Sequence, residues 1–133
     1  MERPVTRHET TAEAYRTSGK EAVWQRKIIT LATLYGWASY HTHYALGSDK
    51  GYPDLTLIRP GFDPLWIEVK GPKGKISAEQ IAWLATINDT RSGLAIVAWP
   101  QDLEAVGELL AGRPVDLYED GPVLRVRLIG SGE

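Results

Sequence analysis

The sequence predicts an α/β fold, a mixed central β-sheet flanked by helices, and three observations carry that prediction. Two β-rich runs, 54–59 and 65–70, bracket Pro60-Gly61-Phe62-Asp63-Pro64. This is the pattern of a hairpin whose strands stop at prolines that cannot join a ladder. Leu94 to Trp99 is a continuous apolar run ended by Pro100, the mark of a buried central strand. Apolar residues recur at helical spacing before and after the hairpin, so helices cover the sheet.

In chain order, residues 1–17 are polar without a sustained apolar period and are expected to form a flexible tail, followed by one domain over 18–133. Ser18 and Glu21 have capping-box spacing and open a helix to about Tyr35, with Gly36 ending it. Trp24, Ile28, Leu31 and Tyr35 form its core stripe. Trp37 to Tyr44 alternates and reads as a strand with Trp37, Ser39, His41 and His43 on one face. A polar loop, Ala45 to Lys50, leads into the hairpin. Ser77 caps a second helix from Ala78 to about Asn88, with Ile81, Leu84, Ala85 and Asn88 along its stripe and Gln80 at the capping-box position. A third helix follows over Asp102 to Ala111. Val115–Tyr118 and Val123–Leu128 close the chain as a hairpin across Glu119-Asp120-Gly121-Pro122.

Composition removes several classes of function. No cysteine is present among the 133 residues, which excludes disulfides and thiolate zinc sites. No long apolar run or signal-like start occurs, so no membrane partner and a cytoplasmic location are expected. The net charge of −2 does not mark a nucleic-acid binder, but the charges are unevenly spread. Residues 1–75 hold 11 Lys+Arg against 8 Asp+Glu, and 76–133 hold 4 against 9. A mildly basic part can still bind phosphates. Gly71-Pro72-Lys73-Gly74-Lys75 lacks the spacing of a phosphate-binding loop, so no nucleotide cofactor is expected.

The hairpin carries the chemistry. With its turn centred on Gly61, Asp54 lies opposite Glu68. One face then holds Leu55, Leu57, Leu65, Ile67 and Val69, and the other holds Asp54, Thr56, Glu68 and Lys70. Opposed carboxylates about 5 Å apart repel by on the order of 3 kcal/mol at an effective dielectric near 20. Lys70 offsets part of this and a divalent cation offsets more, the oxygen ligands suiting Mg2+ or Mn2+. A solvated face with an ordinary ion pair is the competing reading. Lys73 and Lys75 sit beside this face, where the phosphates of a DNA strand would pass, or form a solvated basic turn. His41 and His43 read as phosphate contacts, solvated side chains or, lacking a third soft ligand nearby, a poor zinc pair.

Glu21 on the first helix, Gly51-x-Pro53-Asp54-Leu55, Ile67-Glu68-Val69-Lys70 and Gly74-Lys75-x-Ser77-x-x-Gln80-x-x-Trp83 together resemble the VRR-NUC branch of the PD-(D/E)XK nucleases, in order across residues 18–100. The run Tyr40-His41-Thr42-His43 is similar to phage-type single-domain members. The resemblance implies a restriction-endonuclease-like core in which Asp54 and Glu68 bind Mg2+ or Mn2+. The Val69 carbonyl is then a further ligand and Lys70 lies beside the scissile phosphate. Glu21 and Gln80 match the remaining site residues, Glu21 being a candidate ligand, although both also have capping spacing. Lys50, Lys73, Lys75, His41 and His43 are the expected DNA contacts.

The reading that follows is a metal-dependent DNA endonuclease acting on branched DNA such as a Holliday junction. The alternatives are a catalytically silent DNA-binding module and, more remotely, a histidine-based metal hydrolase. One site cuts one strand, so a homodimer is expected, with the apolar Val123, Leu124, Val126 and Leu128 as its surface, the competing reading being that this hairpin completes the chain's own core.

Overall fold

The computed structural model describes residues 11–43 and 50–131, with side chains from residue 19 onward. Its elements are α1 (Thr11–Leu34), β1 (Ala38–His41), β2 (Leu55–Ile58), β3 (Leu65–Val69), α2 (Ala78–Asp89), β4 (Leu94–Ala98), a 3-10 turn (Pro100–Asp102), α3 (Leu103–Leu110), β5 (Asp116–Asp120) and β6 (Val123–Arg127). Four strands form a mixed sheet in the order β1-β2-β3-β4, and β5 pairs with β6 in a second sheet. The β1–β2 and β2–β3 pairs are antiparallel and β3–β4 is parallel, with α2 as the crossover. The fold is α/β, as expected.

The hairpin register is the predicted one. Leu55 pairs with Ile67 and Leu57 with Leu65, so the next rung brings Asp54 opposite Glu68. Leu55, Leu57, Leu65, Ile67 and Val69 are buried against Trp24, Ile28 and Ala32 of α1 and Ala105, Val106 and Leu110 of α3. The opposite face lies under α2, where Leu84 and Ile87 pack with Ala95, Val97, Trp66 and Trp99. Helices thus cover both faces, and the carboxylate face is not the solvated one of the competing reading.

Several boundaries differ for identifiable reasons. The first helix is described from Thr11 rather than from Ser18, so 11–17 are helical and Ser18 and Glu21 lie within the helix rather than at its start. Ala12, Glu13, Ala14 and Arg16 are strong helix formers, which outweighs one Gly at position 19. Residues 1–10 of the expected tail, Tyr44, and most of the expected 45–50 loop lie outside the described residues. At the other end of α1, the Trp37 N–H returns to the Ala32 carbonyl at 2.9 Å and the Gly36 N–H to Thr33 at 3.1 Å, with Gly36 at φ 88°. That is the Schellman closure expected of glycine there.

Trp37 does not share an exposed face with Ser39 and His41. It precedes the strand, is buried, and donates its indole N–H to Leu110 O at 2.8 Å. In α2 the stripe is Ile81, Leu84 and Ile87, and Ala85 is exposed. Asn88 instead satisfies both backbone groups of Ala95, at 2.8 and 2.9 Å, as a strand partner would.

The C-terminal hairpin turns through Gly121-Pro122, with Gly121 at φ 59°, and not through a four-residue loop. Its apolar residues complete the chain's own core. Val126 (1 % exposed) joins the α1/α3 side, with Leu124 and Leu128 packed against it, and Val123 (5 % exposed) joins the α2 side. The surface on which the homodimer expectation rested is therefore turned inward, because β6 lies against β4 and supplies cover to both faces of the sheet.

Candidate active site

Glu68, near the end of β3, and Asp54, just before β2, meet where the α2 layer covers the hairpin. Asp54 is held by the Val69 N–H, which donates to its Oδ2 at 2.7 Å. Glu68 is 3 % exposed, and its Oε2 accepts from Gln80 Nε2 at 2.9 Å and faces Lys70 Nζ at 3.6 Å. Lys70, itself 8 % exposed, donates to Gln80 Oε1 at 2.9 Å. That same oxygen accepts from the Ser77 N–H at 2.9 Å, while the Gln80 N–H donates to Ser77 Oγ at 3.1 Å. The capping box of α2 and the polar cluster thus share one side chain. Gln80 is a cap and a member of the polar cluster at once.

The loop that brings Asp54 into place is built tightly. Gly51 has φ 91°, and a Cβ there would come within 2.5–2.8 Å of backbone atoms of Glu79 and Gln80. Only glycine allows the loop to lie on the first turn of α2. Tyr52 stands edge-on to Trp83 at 5.0 Å and accepts from Trp66 Nε1 at 3.0 Å. Thr42 donates its hydroxyl to Pro53 O at 2.7 Å and its N–H to Asp54 O at 2.8 Å. Sequence reasoning picked out the Gly-x-Pro-Asp run but had no signal for its contact with the helix.

The family model described as the VRR-NUC domain matches residues 7–111. The chain belongs to the VRR-NUC domain family. It is a nuclease domain of the DNA-cleaving type within the PD-(D/E)XK superfamily. No curated protein and no solved structure matches the chain.

In this VRR-NUC domain the two carboxyls cannot both stay charged without help. Burial raises the pKa of Asp54, against the bond from Val69 and the charges of Lys70 and His41. Burial together with the Asp54 charge pushes Glu68 up to about 9, with Glu21 adding to the effect and Lys70 opposing it. Glu68 Oε1 is buried and meets no hydrogen-bond donor among the described residues. A neutral Glu68 removes the repulsion with Asp54, but it leaves the buried Oε1 without a partner among the described residues. A divalent cation satisfies the same two needs, charge and an unused acceptor, so the residues present fit one. Among the described residues no three His, Asp or Glu side chains gather as a metal cage. A Mg2+-type ion does not require one, since it binds through one or two carboxylates with water and substrate oxygens.

The other expected site residues lie around this pair in the VRR-NUC domain. Glu21 on α1 is half-buried and acts on Glu68 through its charge. His41 at the end of β1 is exposed, bonds to Gln25 Nε2 at 3.0 Å, and lies tilted by 39° against His43, ring centroids 4.9 Å apart. The Gln25 contact had no signal in the sequence beyond its place one turn after Glu21. Lys50, Lys73 and Lys75 are exposed. A cavity of about 540 Å³, lined by Val23, Trp24, Lys27, Pro72 and Leu103 among others, does not include the carboxylates. Glu68 and Lys70 are buried and Asp54 is half-buried, whereas Lys50, Lys73, Lys75, His41 and His43 are exposed. None of the helices described is long and apolar enough to cross a membrane.

Proposed function

We propose that this domain is a Mg2+- or Mn2+-dependent DNA endonuclease whose ion is held by Asp54, Glu68 and the Val69 carbonyl. The observation that carries the reading is the pair of half-buried Asp54 and buried Glu68, in which Glu68 Oε1 meets no partner among the described residues and burial with the Asp54 charge pushes Glu68 up to about 9. Such a divalent ion supplies a Lewis acid for the scissile phosphate and for the attacking water. Lys70 points its ammonium into the same cluster, held by Gln80, where it orients the nucleophile or balances charge on the phosphorane. Gln80 holds Glu68 Oε2 and Lys70 Nζ in one frame, so that neither has to reorganise as charge develops. Lys73 and Lys75, exposed beside this cluster, contact phosphates and set register on the DNA, with Lys50, His41 and His43 along the flank.

Cutting of branched DNA by two chains is the finer form of this proposal. One site per chain cuts one strand, and a two-fold pair is the simplest source of paired cuts. Light scattering for the mass and a panel of linear, flap and four-way substrates test that part.

The central test is nicking of supercoiled plasmid with Mg2+ or Mn2+ and its arrest by chelator. Lys70→Ala should bind DNA with the parent affinity and turn over far more slowly. Lys73→Ala and Lys75→Ala should weaken binding and flatten its salt dependence by about one phosphate contact each. Parent turnover by Lys70→Ala at saturating DNA, or cleavage indifferent to chelator, overturns the proposal.

A further inference from the structure

Trp99 closes β4 with three attachments. Its indole N–H donates to Gly74 O at 2.9 Å, its backbone N–H donates to Asp102 Oδ2 at 3.0 Å, and the guanidinium of Arg125 lies 4.5 Å from its ring centroid. Arg125, on β6, also donates to Asp102 Oδ1 at 2.8 Å and to Asp120 Oδ2 at 2.9 Å. Asp102 is buried, so this pair is shielded from solvent and has a defined geometry.

Gly74 ends the tight turn Gly71–Gly74, closed by its N–H to Gly71 O at 2.9 Å. A Cβ on Gly74 would stand 3.1 and 3.2 Å from Cδ and Cβ of Lys70. The turn therefore lies directly on the aliphatic stem of Lys70 and limits the rotamers open to it. The family match ends at residue 111, so Arg125 is supplied from outside it.

We propose that Trp99, clamped by Asp102 and by Arg125 of the C-terminal hairpin, is a positioning residue that holds the Gly71–Gly74 turn over Lys70. The turn in turn aims the ammonium at Gln80. This deepens the nuclease reading and rests on it for its catalytic consequence, although the packing of Lys70 can be tested without it. The C-terminal hairpin then has a role in the active site that its distance in sequence conceals. Stacking by a planar guanidinium, rather than charge alone, is what it contributes.

The test is Trp99→Phe, which keeps an aromatic ring for Arg125 and removes the N–H. Reductive methylation of Lys70, followed by mass spectrometry, should be slow in the parent and several-fold faster in Trp99→Phe, with Lys20 and Lys27 unchanged as controls. At saturating DNA, kcat should fall roughly fivefold with KM and DNA affinity unchanged. The same substitution in a Lys70→Ala background should lower the residual rate no further. Should Trp99→Phe fold poorly, Arg125→Lys keeps a charge for Asp102, loses the planar stack, and is expected to show the same pattern more weakly. Unchanged Lys70 reactivity in a folded Trp99→Phe, or equal acceleration at Lys20 and Lys27, overturns the proposal. Failure of the nuclease reading is a different result: Lys70→Ala then cleaves at the parent rate while the methylation contrast stands.

Discussion

Gln80 donates to Glu68 across 2.9 Å with its amide nitrogen while its carbonyl oxygen takes the Lys70 ammonium and the Ser77 N–H. A helix cap is thereby made part of a polar cluster, so the start of α2 and the geometry of the site cannot be varied separately. Three expectations follow from this and from the packing around it.

Removing the two halves of the cap should have different consequences. Ser77→Ala loses the acceptor for the Gln80 N–H and should cost about 1 kcal/mol of stability, leaving the bond to Glu68 in place. Gln80→Ala should cost a similar amount of stability and, in addition, lower turnover on the order of tenfold or more, because Glu68 and Lys70 both lose a partner. Thermal melts beside single-turnover cleavage separate the two. Equal turnover in the two variants would show that Gln80 is a cap alone.

Stability without metal should fall as pH rises. Glu68 is raised from 4.5 to about 9, so between those values the folded chain holds a proton that the unfolded chain has released. The unfolded state then binds fewer protons, and the stabilising contribution, complete below about 4.5, is lost progressively as pH climbs to about 9. Mg2+ or Mn2+ competes with that proton, so the metal-induced rise in Tm should be small at pH 5 and larger at pH 8. Glu68→Gln should flatten the pH slope, remove the metal effect, and match or exceed the parent in stability without metal above about pH 4.5, since the amide is neutral without taking up a proton on folding. Melting curves across pH, with and without metal, measure all three. A metal effect that is independent of pH contradicts competition between the metal and the Glu68 proton.

Two glycines of similar backbone should respond differently to alanine. Gly51 and Gly61 have φ 91° and 85°, but a Cβ at Gly51 meets the α2 backbone at 2.5 Å and one at Gly61 meets nothing within 4 Å. Gly61→Ala should cost about 1–2 kcal/mol from the left-handed conformation. Gly51→Ala should cost roughly 2–5 kcal/mol, because overlap with the helix adds to the same strain, and should displace Gln80. Denaturant unfolding of both, with cleavage assays on whichever remains folded, gives the comparison. Similar losses in the two would mean that the loop shifts freely away from α2.

The sequence alone determined the hairpin register and with it the Asp54–Glu68 opposition. Prolines bound the turn, and a one-residue slip would move Leu55, Leu57, Leu65 and Ile67 off the core face. The helices, the buried β4 and the order of motifs were legible for the same local reasons, a period of 2 or 3.6 and a cap. Tertiary structure decided what lay on the second face. Nothing local to residues 54–70 states that α2 comes down on it, so the burial of Glu68 and Lys70 and the raised carboxyl were invisible. It also decided which way the last hairpin faced. Val123 and Val126 are apolar whether they meet a second chain or their own β4, and only the packing of β6 beside β4 selects the second. Periodicity records that a side chain needs cover, and the cover is supplied by residues far away in the chain.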